Sequence, residues 1–386
     1  MSPPPQSSRV QAIDLLRGLV MVVMALDHVR DYLMPLGDPV DLATTFPALF
    51  FTRFITHYCA PTFYFLAGVS AFLSSRKRSV PEVAHILWTR GLWLVFLELV
   101  VVRFGWYFTS NLTYFEGLTI WALGWSMIAL SFLIRLPRTA ILAVGAAMVL
   151  GHNALDWVKP ESFGPAAWIW TMLHVPGGIS IGPTTIWIAY PLVPWIGVMA
   201  LGYVFAQGGI PRALQIGPAL IAGFLILRGF NIYGDPHAWT PQKNLMFSIM
   251  SFLNCQKYPP SLLYLLVTLG PSITIIGLVN RFGKGELPAL TRPLVLFGKV
   301  PMFYYLIHIY VAHALGVLVA WFRFGDAHTL FEMPVVGSNG NQKLPSNAPL
   351  WAVYAVWLVV LLVLYPLCRW YSGVKARHKS PLFSYL

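Results

Sequence analysis

The chain has 386 residues, of which 57% are hydrophobic and only 10% charged, with a mean hydropathy of +0.66. Soluble domains average about 25% charged residues, so the composition excludes an ordinary soluble enzyme, and the 15% aromatic share excludes a disordered or low-complexity chain. The remaining reading is an all-α polytopic membrane protein, with residues 1–386 forming a single transmembrane domain.

The polar, Pro-rich opening MSPPPQSSRVQAID lacks the apolar core and cleavage site of a signal peptide, so the first apolar run is expected to stay as a helix. At about 20 apolar residues per span, ten transmembrane helices are predicted. They fall near residues 12–34, 48–74, 84–110, 117–135, 138–158, 184–206, 212–230, 260–280, 299–322 and 349–371. Clusters such as SRKRSVPE, VKPESFGP, NIYGDPHAW and NRFGKGELP supply the turn chemistry between them. Residues 1–11 and 372–386 read as tails.

Most of the 26 basic residues fall on one side if the N-terminus is inside, among them Arg76, Lys77, Arg78, Arg281 and Lys375. The positive-inside rule then places both termini in the cytoplasm. Topology thus accounts for the net charge of +12 without a nucleic-acid partner. Cys59, Cys255 and Cys368 lie far apart and imply neither a disulfide framework nor a structural zinc site. No metal is expected from this pattern.

The first span is the most informative. IDLLRGLVMVVMALDHVRDYL places Asp14, Arg17, Asp27, His28, Arg30 and Asp31 in or beside one helix. Ionisable groups in hydrocarbon are costly unless they face the bundle interior. At 100° per residue Arg17 and His28 lie within about 20° of each other, and about 16 Å apart along the axis. One turn beyond His28, Asp31 can accept from a ring nitrogen and hold the imidazole as a base. Asp27 points about 100° away, toward a neighbouring helix or a substrate cation. The bland alternative is an Arg/Asp/His network that only fixes packing.

Further histidines share the outer leaflet in this topology: His57, His152, His308 and His313. His152 and Asp156, at i and i+4 in GHNALD, are spaced to pair. Taken singly, each of these histidines reads as a packing residue; together they suggest a polar cavity. Outer loops contribute Asn231, Asp235, His237, Trp239, Asn254, Lys257 and Tyr258, with Trp168, Trp170 and His174 before span six, a mixture of amides, carboxylate and aromatics suited to a sugar. An interfacial aromatic belt is the alternative for the Trp and Tyr residues. On the inner side Arg17, Arg90, Arg292 and Lys299 are candidates for the phosphates of a cytoplasmic ligand, although positive-inside bias also explains them.

RVQAIDLLRGLVMVVMALDH resembles the first helix of membrane acyltransferases, in which a basic residue precedes a His by the spacing of Arg17 and His28. Together with THYCAPTFYFLAGVSAFL, YPLVPWIGVMALGY, NIYGDP, KYPPSLLYLLVTLGP and GKVPMFYYLIHIYVAH, the chain is similar to bacterial members of the heparan-α-glucosaminide N-acetyltransferase-like family. The resemblance implies an enzyme of a bacterial inner membrane that moves acetyl from cytoplasmic acetyl-CoA to an amine or hydroxyl of an extracytoplasmic sugar or glycan. His28 would be general base or acetyl-accepting nucleophile, with Asp31 and Asp27 beside it. The acceptor would meet His57, His152, Asn153, Asp156, Asn231, Asp235, Lys257 and His308, and a homodimer is compatible with this picture. Relatives of the lysosomal type place their active His later, whereas here no His lies between Asp31 and Pro47. A proton-coupled transporter of a polar solute and a non-catalytic scaffold are the rival classes. No internal repeat supports the first, and the second does not explain the charged stripe.

Overall fold

The computed structural model describes residues 8–34, 37–282, 288–332 and 348–378. Parts of both predicted tails, and the connections at 283–287 and 333–347, lie outside the described residues. In chain order the elements are α1 (Ser8–Leu33), α2 (Pro47–Thr56), α3 (Cys59–Ser75), α4 (Val80–Leu97), α5 (Arg103–Tyr107), β1 (Tyr114–Gly117), α6 (Thr119–Leu133), α7 (Arg138–Gly151) and α8 (Ala167–Leu173). There follow β2 (Gly177–Ile181), β3 (Thr184–Ile188), α9 (Leu192–Ala206), α10 (Ala213–Gly229), α11 (Leu245–Leu253), α12 (Leu262–Phe282), α13 (Arg292–Lys299), α14 (Pro301–Phe324) and α15 (Leu350–Arg377).

The protein is a helical membrane protein. Among the described residues six stretches are long and apolar enough to cross a bilayer: Val80–Tyr107, Arg138–Leu155, Ile210–Gly229, Leu262–Phe282, Pro301–Phe324 and Leu350–Arg377. Thr119–Leu133 and Leu192–Ala206 are apolar but shorter. Two sequence expectations are corrected. The run at 48–74 is not one helix but α2 and α3, parted at His57 and Tyr58. The run at 184–206 opens as a strand, because the β-branched segment TTIWI pairs in a three-stranded sheet of order β1-β3-β2, parallel to β1 and antiparallel to β2. An all-α description therefore omits a small sheet.

α1 sits at the centre of the bundle, packed against α2, α3, α12, α13, α14 and α15. That placement is what allows its ionisable residues to avoid lipid. Its approach to α13 is backbone on backbone. A Cβ on Gly18 would come within 1.7 Å of the Leu294 carbonyl oxygen, and one on Gly298 within 1.9 Å of the Asp14 carbonyl oxygen. Only glycine lets two helices meet this closely.

Between α4 and α5 lies a π-helical turn, Glu98–Val102. It turns the buried Glu98 carboxylate onto the start of α6, where it accepts from the amides of Ile120 (2.8 Å) and Trp121 (3.0 Å). These are amides that a helix leaves without intrahelical partners. The Tyr64 hydroxyl donates to the Thr119 carbonyl at 2.8 Å, so the first turn of α6 is fixed from two sides.

Candidate active site

Two cavities follow the stripe on α1. The first, of about 370 Å³, opens toward the end of the bundle where α1 begins; its walls come from α1, α3, α4, α6, α13, α14 and α15. Arg17, Arg90, Lys299 and Lys375 supply its cations, while Met21, Leu94, Leu123 and Met302 make much of the remainder apolar. Arg17 is braced by donating to Asp14 (3.3 Å), the Gly298 carbonyl (3.0 Å) and the Ser70 hydroxyl (2.9 Å). Arg292, expected in this group, does not line the cavity. Lys375, from the last turns of α15, was read only as a topology signal.

The second cavity, of about 330 Å³, lies toward the end where α1 finishes. Asp27, His28, Asp31, Arg53, Tyr107, Glu116, Lys257 and Tyr258 give it a polar wall, and Trp106 and Tyr190 an aromatic one. Thr119 and Tyr305 line both cavities, so the two meet at the start of α6. Arg17 and His28 are thus on opposite sides of one junction.

The hydrogen bonds around His28 differ from the expectation. Its Nδ1 lies 2.7 Å from Nε2 of the fully buried His308, and the rings stack with centroids 5.0 Å apart. Nδ1 of His308 faces the Tyr304 carbonyl at 3.1 Å. A carbonyl only accepts, so His308 carries its proton on Nδ1 and a lone pair on Nε2. That lone pair accepts from Nδ1–H of His28, which leaves the lone pair of His28 on Nε2. Asp31 does not orient His28: among the described contacts its carboxylate accepts from Arg30 at 2.5 Å, and the ring nitrogen it was expected to hold is taken by His308. Asp27 binds Arg30 (3.1 Å) and, across to α2, Arg53. Of the two uses expected of Asp27, the contact to a neighbouring helix is present, and the residue also lines the cavity.

Of the residues expected to meet an acceptor, Lys257 alone lines the second cavity, and His308 stands behind His28. The His57 ring packs on Tyr264 at 5.4 Å while its carbonyl accepts from the Tyr264 hydroxyl at 2.8 Å. Asn153 accepts from the Leu262 amide at 2.8 Å and donates to Asp156 at 2.9 Å. Asn231, at φ 50°, exchanges two hydrogen bonds with the Trp239 backbone. Asp235 is a brace rather than a ligand: with its side chain 1% exposed, it accepts from the Gln256 amide (2.8 Å) and the Ser261 hydroxyl (2.7 Å) and lies 3.8 Å from Arg228. It thereby holds the turn that carries Lys257 and Tyr258 into the cavity. His152 and Asp156 do not bond to each other; Asp156 takes His174 instead, at 3.1 Å.

Glu116 and Tyr107 were missed. The Tyr107 hydroxyl donates to Glu116 at 2.8 Å and that of Tyr114 at 3.3 Å, which fixes a carboxylate in the cavity wall from strand β1. A signal was available: Glu116 lies in the apolar-aromatic segment TYFEGLTIW, where a loop carboxylate has little reason to be.

A family model described as heparan-alpha-glucosaminide N-acetyltransferase, catalytic, matches residues 9–235. That is well over half of the chain and includes α1 with Arg17 and His28, together with Arg53, Arg90, Tyr107 and Glu116. A search of curated proteins returned no match.

Proposed function

The chain belongs to the heparan-α-glucosaminide N-acetyltransferase catalytic family, and from that membership we propose that it takes acetyl from cytoplasmic acetyl-CoA and delivers it to an amine or hydroxyl of an extracytoplasmic sugar or glycan. The observation that carries the reading is the pair of adjoining cavities that share Thr119 and Tyr305 in their walls, one edged by four cations and the other containing His28. Arg17, Arg90, Lys299 and Lys375 hold the phosphates of CoA through charge-assisted contacts. The pantetheine arm runs along the apolar wall, and the thioester reaches the junction. The acceptor occupies the outer cavity, where Tyr190 and Trp106 offer flat faces and Glu116, Asp31 and Lys257 offer polar partners.

In the transfer, Nε2 of His28 removes the proton of the acceptor amine or hydroxyl as that atom attacks the acetyl carbonyl carbon. The C–S bond breaks and CoA leaves as its thiolate, which takes up the proton that His28 removed, so the imidazole returns to its neutral form. The same lone pair also suits a two-step route through acetyl-His28. A membrane location in which the N-terminus is cytoplasmic gives the reaction its direction.

The test uses proteoliposomes with labelled acetyl-CoA on the face where α1 begins and glucosamine on the other. Acetylated glucosamine on the far face supports the reading. Failure to bind CoA or to transfer its label would refute it and leave the proton-coupled transporter as the better account of the polar stripe.

A further inference from the structure

Away from both cavities, at the end of α7, three potential ligands converge, and among them only Asp156 and Nε2 of His174 have protein partners. His152 opens the 3₁₀ turn His152–Leu155, Asp156 follows that turn, and His174 closes α8. One ligand atom from each lies within 4.8 Å of the others. Both ring nitrogens of His152 are buried without a hydrogen bond, as is Nδ1 of His174, and the two residues are 2% and 1% exposed. Leaving a buried polar group unsatisfied is costly, and three of these four ring nitrogens have no protein partner among the described residues, which favours a ligand there.

We propose that His152, Asp156 and His174 bind a divalent transition metal ion of the zinc class. The donor set, two imidazoles and one carboxylate, is among those zinc takes with three protein ligands, a water completing the tetrahedron. One edge of that tetrahedron is already in place: Nε2 of His174 and Oδ1 of Asp156 are 3.1 Å apart, against about 3.3 Å between ligands on bonds of about 2.0 Å. The carboxylate is held for the task, because its Oδ2 accepts from Asn153, which is itself fixed by the Leu262 amide. Such support of a ligating carboxylate is a feature of built metal sites. Closing the site requires His152, whose ring packs edge-on against His174 with centroids 5.8 Å apart, to turn toward that edge.

The ion would tie the end of α7 to the end of α8, and through Asn153 to the start of α12. Its role is therefore to clamp the outer layer, independently of whether acetyl transfer occurs. The decisive experiment takes the full chain in detergent, with any affinity tag removed, strips it with EDTA and adds one equivalent of zinc or cobalt before desalting. One retained zinc per chain, a visible cobalt d–d absorption and a higher melting temperature are expected for the wild type. His152→Gln and Asp156→Asn should lose the retained ion while leaving the melting temperature of the metal-free protein nearly unchanged. Wild-type protein that retains no zinc and gives no cobalt spectrum, or variants that retain as much metal as the wild type, would overturn the proposal. Should the variants fail to fold, the wild-type cobalt spectrum decides alone.

Discussion

Nδ1 of His28 on α1 and Nε2 of His308 on α14 lie 2.7 Å apart across 280 residues of sequence. Two N–H groups cannot face each other at that distance, so one proton is shared between the rings and the Tyr304 carbonyl decides which ring supplies it. His308 is thus a positioning residue for His28, whose Nε2 is left with its lone pair.

His308→Ala removes the acceptor of the His28 proton and frees the ring to turn. Acetyl transfer should fall about tenfold or more, the equivalent of about 1.4 kcal/mol and within the range for one lost buried hydrogen bond, while CoA affinity stays unchanged. His308→Gln, whose side-chain oxygen can accept the same proton, should recover part of kcat. Steady-state kinetics of the two variants checks this, since a residue that only fills space would show no such rescue.

Arg90→Ala and Lys375→Ala should each weaken CoA binding, by about 1.5–3 kcal/mol for a charge-assisted phosphate contact, or about tenfold or more in Kd. Arg17→Ala should do the same and also destabilise the fold, because it unpairs Asp14 and vacates the Gly298 carbonyl. Arg292→Ala should leave Kd unchanged, as that residue is not on the cavity wall. Titration calorimetry with CoA separates the four.

The buried ion cluster and the cavity lysine should behave differently. Asp27→Ala leaves Arg30 and Arg53 facing each other without their shared carboxylate, and breaking a buried pair costs about 3–5 kcal/mol. A large drop in melting temperature is expected. Lys257→Ala, at the cavity surface, should keep the melting temperature and raise KM for the acceptor alone.

The orientation has its own check. A cysteine placed at Ala238, exposed in the same loop as the buried Asp235 side chain, should react with a membrane-impermeant reagent applied outside intact cells, and one at the exposed Lys77 should be spared. The three native cysteines are buried, so background labelling is low. The opposite pattern would remove the direction of the proposed reaction.

How much of this was legible in the sequence depended on range. The stripe from Arg17 to His28 could be read because helical periodicity is local, and α1 carries it as expected. Packing partners could not. Asp31 stands one turn from His28 and was given to it, but the neighbouring Arg30 guanidinium is a stronger partner for a carboxylate than an imidazole is, and a ring from α14 had meanwhile filled the place. The polar loop residues Asn231 and Asp235 were read as sugar ligands from composition. The side chain of Asn231 is consumed by the backbone of its own loop, which is the usual use of Asn in turns, and that of Asp235 by the His237 amide of its loop and by Gln256 and Ser261 beyond α11. Apolar content alone did not separate the strand Thr184–Ile188 from the helix after it, since a short apolar run looks the same in either state.

The central claim is that His28 performs the transfer, and its most direct test is His28→Ala assayed for acetyl transfer from labelled acetyl-CoA to an amino sugar, with CoA binding as control. Loss of a general base costs about 10²- to 10⁴-fold in rate. The account predicts a fall of that size with CoA affinity intact. A variant that binds CoA and transfers acetyl at close to the wild-type rate would contradict it.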